Sequence, residues 1–327
     1  MKYARLGGSG LKVSRVALGC MSFGIDSPHY AWALDDTSAE PVFRLAVEHG
    51  VNFWDTANVY SGGTSEEIVG RAVKKYSRRE AIVLATKVYQ KMHDGPGGSG
   101  TSRKAVMENI DASLRRLGTD YVDLYQIHRF DPDTPAEETM EALHDIVRAG
   151  KARYIGASSM RAWQFAKLQH IAEMHGWTKF VSMQDQYSLL QREEEREMFP
   201  LLADQGVGSI PWSPLGGGLL ARPWGEKGTP RSASSPTADS YGRKAVFETD
   251  EAVVDAVERI AGYRDVPMAQ IALAWVLRNP VVDAPIIGAT KEKHLADAIA
   301  AVEVQLAEEE VSALEEHYAL REPTFFA

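Results

Sequence analysis

The sequence has little cysteine, little basic excess and no long apolar run. Cys20 is its one cysteine, so the chain cannot form an internal disulfide or hold a metal on several thiolates. The longest apolar stretches, such as IALAWVL at 271–277, are far shorter than the roughly 20 residues of a membrane-spanning helix. The N-terminal residues contain no apolar core of signal-peptide length. We therefore expect a cytoplasmic protein without a membrane partner.

Charge excludes further classes of partner. The chain has 36 Lys and Arg against 45 Asp and Glu, which gives a net charge of −9. Binding to the phosphates of nucleic acids or to anionic lipid surfaces requires a basic field. The composition therefore argues against a nucleic-acid partner and leaves only local basic sites.

Short apolar runs alternate with longer amphipathic stretches over the 327 residues. At 105–118, for example, apolar residues recur on one helical face. Such alternation predicts parallel β/α units, and eight of them match the size of a (β/α)8 TIM barrel of the α/β class. The eight predicted strands are 15–19, 51–55, 81–88, 121–128, 152–158, 180–184, 207–212 and 284–288.

Segments outside these units complete the predicted architecture. Residues 3–14 surround a glycine-rich turn and predict a β-hairpin that caps one end of the barrel, and helices are expected at the C-terminal end. Residues 222–248, rich in Pro, Gly and Ser, predict a long loop between strands seven and eight. No linker divides the chain, so we expect a single domain over 1–327. Thr64 and Glu67 match the pattern of a helix capping box.

Polar residues at the ends of the predicted strands form the candidate catalytic group. Asp55, Lys87 and His128 lie at or near the ends of three successive strands, and Tyr60 follows Asp55 by five residues. Barrel enzymes place their catalytic groups at that rim. A phenol is a poor acid at neutral pH unless a nearby cation stabilises its phenolate, which Lys87 would do while Asp55 holds the ammonium. This set suits protonation of a carbonyl oxygen, with His128 hydrogen-bonded to it.

Each of these residues alone also has a structural interpretation. A strand-end Asp or Lys is usually a cap or half of an ion pair, a His in an apolar strand is usually part of the core, and a loop Tyr usually packs. Only the combination at one rim favours catalysis.

Several longer motifs recur in order along the chain. They are DTANVY (55–60), LATKV (84–88), SLRRLGTDYVDLYQIHR (113–129), GKARYIGASS (150–159), IPWSPLGGGLL (210–220) and APIIGATKEKHL (284–295). With them the sequence resembles the aldo-keto reductases. The resemblance implies NADPH-dependent reduction of aldehydes or ketones to alcohols by hydride transfer, with Tyr60 as general acid, Lys87 and Asp55 tuning it, and His128 orienting the carbonyl.

The resemblance also implies where NADPH binds. Ser158, Ser159 and Gln184 would hold the nicotinamide amide, and Trp212 would stack on the ring, although Trp212 also has an interpretation as plain core. The pyrophosphate would lie on the loop 213–219 and the 2′-phosphate near 288–294. The residues assigned to these two sites are Ser213, Leu215, Gly217, Gly288, Thr290, Lys291 and His294.

The sequence departs from the family pattern at two places. Ala298, preceded by Asp297, replaces the usual adenine-contacting Asn, and Ser158-Ser159 replaces a frequent Ser-Asn pair. An Asp near the 2′-phosphate would reduce the preference for NADPH, so the adenine contacts stay open.

A glycine motif points to a different fold. Residues Gly95 to Gly100 spell G-x-G-x-x-G, and Asp120 follows at a suitable distance for a ribose ligand. Six residues (89–94) intervene between Val88 and the motif, whereas a dinucleotide-binding fingerprint follows its strand directly. We therefore interpret it as a flexible loop at the catalytic rim.

The substrate pocket is assigned to rim residues, most of them apolar. They suit an aldehyde or ketone with an aromatic or aliphatic body, whereas an arginine among them would suit an anionic substrate or serve only as a salt-bridged rim residue. The assigned residues are Phe23, Trp54, Tyr89 and Arg129, with Met21 and Phe130 as further candidates.

A second class of function stays open. Some proteins that resemble this chain are slow NADPH-binding regulatory β subunits of potassium channels. The sequence lacks a recognisable inactivation segment and has the complete catalytic set, which favours the enzyme. A homo-oligomer is compatible with either function.

Overall fold

Eight parallel strands form the centre of the computed structural model, which describes residues 1–25, 32–226 and 247–321. Each predicted run contains one of them, although several strands are shorter than the runs. The strands, with the N-terminal pair first, are β1 (Tyr3–Arg5), β2 (Lys12–Ser14), β3 (Ala17–Gly19), β4 (Phe53–Asp55), β5 (Val83–Val88), β6 (Val122–Ile127), β7 (Ala152–Ser158), β8 (Phe180–Gln184), β9 (Gly208–Ser209) and β10 (Ile286–Gly288).

The sheet follows chain order from β3 to β9, with β10 beside β3. Backbone bonds also join the two outer strands: the Ile286 amide donates to the Pro211 carbonyl at 2.8 Å, and the Ser209 amide to the Val281 carbonyl at 2.9 Å. These bonds close the cylinder. The prediction of a (β/α)8 barrel is confirmed.

Helices surround the strands. They are α1 (Asp36–Glu48), α2 (Thr64–Tyr76), α3 (Arg103–Leu117), α4 (Ala136–Arg148), α5 (Ala162–His175), α6 (Met198–Gln205), α7 (Asp250–Arg264), α8 (Met268–Arg278), α9 (Glu292–Ala301) and α10 (Glu308–Glu315). Helix α3 shows why they form: the Ser102 hydroxyl caps its N-terminus, Gly118 ends it with φ 62°, and the predicted face of Val106 and Ile110 is buried.

Alternation along each strand separates the inside of the barrel from the helix layer. In β5, Val83 and Ala85 belong to the apolar cluster inside the barrel, whereas Leu84 and Val88 pack in the core under the helices. Side chains two residues apart share a face. Lys87, two residues after Ala85, therefore faces the inside of the barrel.

The predicted N-terminal hairpin is confirmed, since β1 and β2 pair antiparallel. Leu6 and Val13 join the inner apolar cluster, and the Gly7 amide donates to Asp283 Oδ2 at 2.7 Å. Gly8 bonds to Gly206, just before β9 begins. The hairpin therefore closes the end of the barrel at which the strands start. At the C-terminal end of the chain, α10 packs on α7, as expected for added helices.

One local prediction is wrong. Helix α2 begins at Thr64 itself, with Gly63 as its N-cap at φ 99°, so Thr64 and Glu67 do not form a capping box. The Thr64 hydroxyl donates instead to the Ser61 carbonyl at 2.8 Å. Of the predicted loop 222–248, residues 227–246 lie outside the described part of the chain.

Candidate active site

Asp55, Tyr60 and Lys87 meet in one buried cluster. The Lys87 ammonium donates to Asp55 Oδ2 at 2.5 Å and to the Thr56 carbonyl at 2.9 Å, and it lies 3.3 Å from the Tyr60 hydroxyl. Lys87 is 0% exposed and Asp55 2%. A buried ion pair that touches a phenol fixes the position of the ammonium and directs its charge at the phenol oxygen.

Neighbouring strands bring these residues together. Asp55 is the last residue of β4, and Lys87 is the penultimate residue of β5, whose register pairs Ala85 with Asp55. Tyr60 begins a short 3₁₀ turn that contains left-handed residues, Ser61 at φ 48° among them. That turn brings the Tyr60 hydroxyl back to Lys87.

His128 lies beside the same cluster. It follows β6, and its amide donates to the Val88 carbonyl at 2.8 Å. Its ring centroid is 5.9 Å from that of Tyr60, edge-on at 78°. Burial and the charges of Lys87 and Arg129 lower the pKa of His128 well below its usual range, so the imidazole is neutral at pH 7. Its Nδ1 is buried without a hydrogen-bond partner among the described residues.

Two glutamines hydrogen-bond to the other carboxylate oxygen of Asp55. Gln126 and Gln184 both donate to Asp55 Oδ1, at 2.8 and 3.1 Å, and Gln184 also donates to the Gln126 amide oxygen at 3.1 Å. Gln126 is a site residue that sequence reasoning missed. Its position two residues before His128 on β6 was the available signal, because side chains two apart face the same way.

Three residues assigned to the nicotinamide lie together at the ends of β7 and β8. The Ser158 hydroxyl donates to the Gln184 carbonyl at 2.8 Å, and the Ser159 amide donates to the same carbonyl at 3.2 Å. The Trp212 indole donates to the Ser159 hydroxyl at 3.2 Å. Trp212 is half-buried, so its ring is partly accessible, and it is not a fully buried core residue.

The two segments assigned to the phosphates follow adjacent strands. After β9, the chain turns through left-handed conformations at Ser213 (φ 51°) and Gly217 (φ 67°). After β10, Lys291 is the exposed N-cap of α9, and the Thr290 amide bonds His294 Nδ1 at 3.4 Å. Burial, and then the charge of Lys291, lower the pKa of His294. Leu215 and Gly288 lie in these same segments.

Ala298 and Asp297, at the first departure from the family pattern, face the protein interior and a neighbouring helix. Ala298 is fully buried in the core, and Asp297 Oδ1 accepts a bond from Gln270 on α8 at 3.3 Å. The side chain of Asp297 is thus engaged with the neighbouring helix.

Two assigned pocket residues do not line the rim. Trp54 is fully buried, donates to the Val51 carbonyl at 2.9 Å and packs on Phe43 of α1 at 5.0 Å between ring centroids. Phe23 is also fully buried and contacts the same Phe43 at 4.6 Å. Trp54 precedes the inward-facing Asp55, so strand alternation turns it outward. Tyr89 and Arg129, in contrast, are half-buried residues directly after β5 and His128.

The glycine motif lies in an irregular segment between β5 and α3, which we call the rim loop (residues 89–102). Its backbone folds on itself, since Gly100 donates to the Tyr89 carbonyl at 2.7 Å and Met92 to the Gly98 carbonyl at 2.8 Å. Asp120 precedes β6 and so lies towards the opposite end of the barrel. This arrangement is not a dinucleotide-binding turn.

Comparison with known proteins identifies the family. The model of the Aldo/keto reductase family matches residues 15–319. The chain belongs to this family. It is 46% identical to versiconal hemiacetal acetate reductase of Aspergillus parasiticus, with 97% of each chain covered. It is 45% identical to a Schizosaccharomyces pombe protein with the provisional name of aryl-alcohol dehydrogenase, with 97% of this chain and 95% of that one covered.

Membership in the aldo/keto reductase family makes this chain an oxidoreductase of carbonyl and alcohol groups, in a family that uses nicotinamide cofactors. In the described ranges, none of the helices has the length and apolar character needed to cross a bilayer.

Proposed function

We propose that this aldo/keto reductase uses NADPH to reduce aldehydes or ketones to alcohols, with Tyr60 as the general acid. The observation that carries the proposal is the Lys87 ammonium, 3.3 Å from the Tyr60 hydroxyl and held at 2.5 Å by the Asp55 carboxylate. This buried ammonium stabilises the phenolate that remains after Tyr60 donates its proton to the carbonyl oxygen.

Neutral His128 has a complementary role. Its ring stands edge-on beside Tyr60, so an imidazole N–H beside the phenol can donate to the same carbonyl oxygen. Two donors directed at one oxygen orient the carbonyl and stabilise the negative charge that develops on it. Gln126 and Gln184 keep the Asp55 carboxylate aligned with Lys87.

The rim residues fit a nicotinamide dinucleotide, which when bound supplies the hydride. Ser158, Ser159 and the accessible Trp212 would hold the nicotinamide end. The left-handed backbone at Gly217 allows close approach of a pyrophosphate, and Lys291 offers a cation to the 2′-phosphate. The preference for NADPH depends on Lys291.

The substrate class follows from the rim and from the relatives. Tyr89 follows Lys87 by two residues and Phe130 follows His128 by two, and both are half-buried aromatic residues, which suits an aromatic or aliphatic carbonyl compound. The provisional name of the S. pombe relative, aryl-alcohol dehydrogenase, supports an aromatic substrate. We place this reaction in the cytoplasm, in a single domain over 1–327.

Tyr60→Phe tests the general acid. We expect turnover of 4-nitrobenzaldehyde, followed by NADPH oxidation, to fall at least about 100-fold, the usual contribution of a positioned acid. NADPH affinity, measured by fluorescence titration, should change little. Tyr263→Phe, at a site 89% exposed, is the matched control. Equal turnover by wild type and Tyr60→Phe would refute the assignment.

Lys291→Ala tests the cofactor preference. Loss of a charge-assisted bond to a phosphate should weaken NADPH binding about tenfold, since such bonds contribute roughly 1.5–3 kcal/mol. NADH, without the 2′-phosphate, should bind as before. The control is Lys179→Ala, another exposed lysine. An unchanged ratio of the two dissociation constants would remove Lys291 from the site.

A further inference from the structure

A buried carboxyl group directly after Gln184, one of the residues assigned to the nicotinamide, has no role in the mechanism above. Asp185 follows Gln184 at the end of β8 and is 1% exposed. Both of its carboxyl oxygens are buried, and neither has a hydrogen-bond partner at ordinary distance and angle among the described residues. An ionised carboxylate in such a place is costly.

A second carboxyl group, that of Glu194, explains how Asp185 can be buried. Glu194 lies in the 3₁₀ turn Glu193–Glu195, is 7% exposed, and its carboxyl group lies beside that of Asp185. Two carboxyl groups can share a hydrogen bond only if one of them is protonated. Burial raises the pKa of Asp185 to about 8, and burial together with the Asp185 charge raises the pKa of Glu194.

Few other charges face the pair. Arg129 lies on the segment after β6 and favours ionisation of Asp185, whereas Glu193 disfavours ionisation of Glu194. Glu193 has partners of its own, namely Arg196 at 2.8 Å and the Tyr318 hydroxyl at 2.8 Å. The Ser159 amide also faces Asp185.

The backbone connects the pair to the cofactor residues. The Trp212 amide donates a hydrogen bond to the Asp185 carbonyl at 2.8 Å, and the Ser159 amide donates one to the Gln184 carbonyl at 3.2 Å. Ser159 is held in the left-handed region at φ 47°, which is strained for a residue with a side chain. An ionised Asp185 would compete with Gln184 for the Ser159 amide.

We propose that Asp185 and Glu194 are positioning residues that share a proton, and that the proton keeps Ser159 and Trp212 arranged for nicotinamide binding. When the proton is released to solvent, the Ser159 amide turns towards the new carboxylate and cofactor affinity falls. The inference rests on the proposed function, because it assumes that NADPH binds at these residues.

The test is the dissociation constant of NADPH between pH 7 and pH 9, measured by fluorescence titration. For wild type we expect it to rise about tenfold, because one pH unit above the pKa about a tenth of the pairs retain the proton. Asp185→Asn and Glu194→Gln carry no shared proton, so their values should change less than about twofold from this cause. Asp283→Asn, a carboxyl at the opposite end of the barrel, should follow wild type.

A measurement without cofactor covers the case in which a variant does not fold. The infrared spectrum of the wild-type protein should show the carbonyl stretch of a buried protonated carboxyl at pH 7 and lose it by pH 9. Absence of that band at pH 7 overturns the inference, as does wild-type pH dependence of NADPH binding in folded Asp185→Asn. Failure of wild type to bind NADPH or NADH at pH 7 overturns the proposed function and this inference together.

Discussion

At the scale of single residues, the site depends on one buried charge pair. Lys87 and Asp55 are both almost fully inaccessible, and each is the other's counter-charge. Such a pair contributes little net stability compared with apolar residues, but removal of one partner leaves a buried charge without compensation. Single and double variants of this pair can therefore separate its effect on the free energy of unfolding from its effect on turnover.

Lys87→Met should destabilise the protein by about 3–5 kcal/mol and abolish carbonyl reduction, because Asp55 keeps a buried charge. Lys87→Met combined with Asp55→Asn should recover most of that stability but none of the turnover, because the phenolate of Tyr60 still lacks its cation. Urea unfolding and NADPH oxidation measure the two effects. Recovery of activity in the double variant would contradict the assigned role of Lys87.

The alternation of side chains along the strands, together with the order of the strands, explains which site residues could be predicted from the sequence. Asp55, Lys87 and His128 end successive parallel strands, so their meeting at one rim follows from topology. The same alternation, applied to Trp54, would have turned it away from the pocket. Asp185 and Glu194 lie nine residues apart across irregular chain, and no periodic pattern brings such residues together.

At the scale of elements, one side chain fastens the rim loop to the segment after β6. Asp131 Oδ2 accepts the Thr101 amide at 2.7 Å and the Thr134 hydroxyl at 2.8 Å. At the other end of the loop, Tyr89 has φ 145°, which is strained for a residue with a side chain. The glycine content predicted a flexible loop. The attachment to Asp131 could not be predicted, because the sequence does not indicate which distant carboxylate accepts hydrogen bonds from the loop.

Asp131→Ala should loosen the rim loop. Removal of a carboxylate that accepts hydrogen bonds from Thr101, Asp133 and Thr134 costs about 1–3 kcal/mol locally, which would speed amide hydrogen exchange in 89–102 at least about fivefold. The KM for 4-nitrobenzaldehyde should rise more than kcat falls, because Tyr89 lies at the rim while Tyr60 lies on a different segment. Asp94→Ala, an exposed acid of the same loop, is the control. Unchanged exchange in Asp131→Ala would refute this role.

At the scale of the whole molecule, the two ends of the barrel interior differ in chemistry. The end where strands finish holds Asp55, Lys87 and the two glutamines, whereas the opposite end is apolar and closed by the hairpin. The number of strands and the hairpin could be predicted from sequence periodicity. The attachment of the hairpin could not, because Asp283 bonds to Gly7 across 276 residues.

That attachment should give the protein a pH-dependent stability. Burial raises the pKa of Asp283 to about 6, only partly offset by the Gly7 amide and Arg15. Because the folded-state pKa exceeds the unfolded one, its contribution to the free energy of unfolding is greatest below pH 4 and is lost as pH rises through 6. Asp283→Asn keeps an acceptor for Gly7 but cannot ionise. Its stability relative to wild type should therefore increase by about 2 kcal/mol between pH 4 and pH 7. Urea unfolding at the two pH values measures this difference, and a constant difference would show that Asp283 ionises freely in the folded protein.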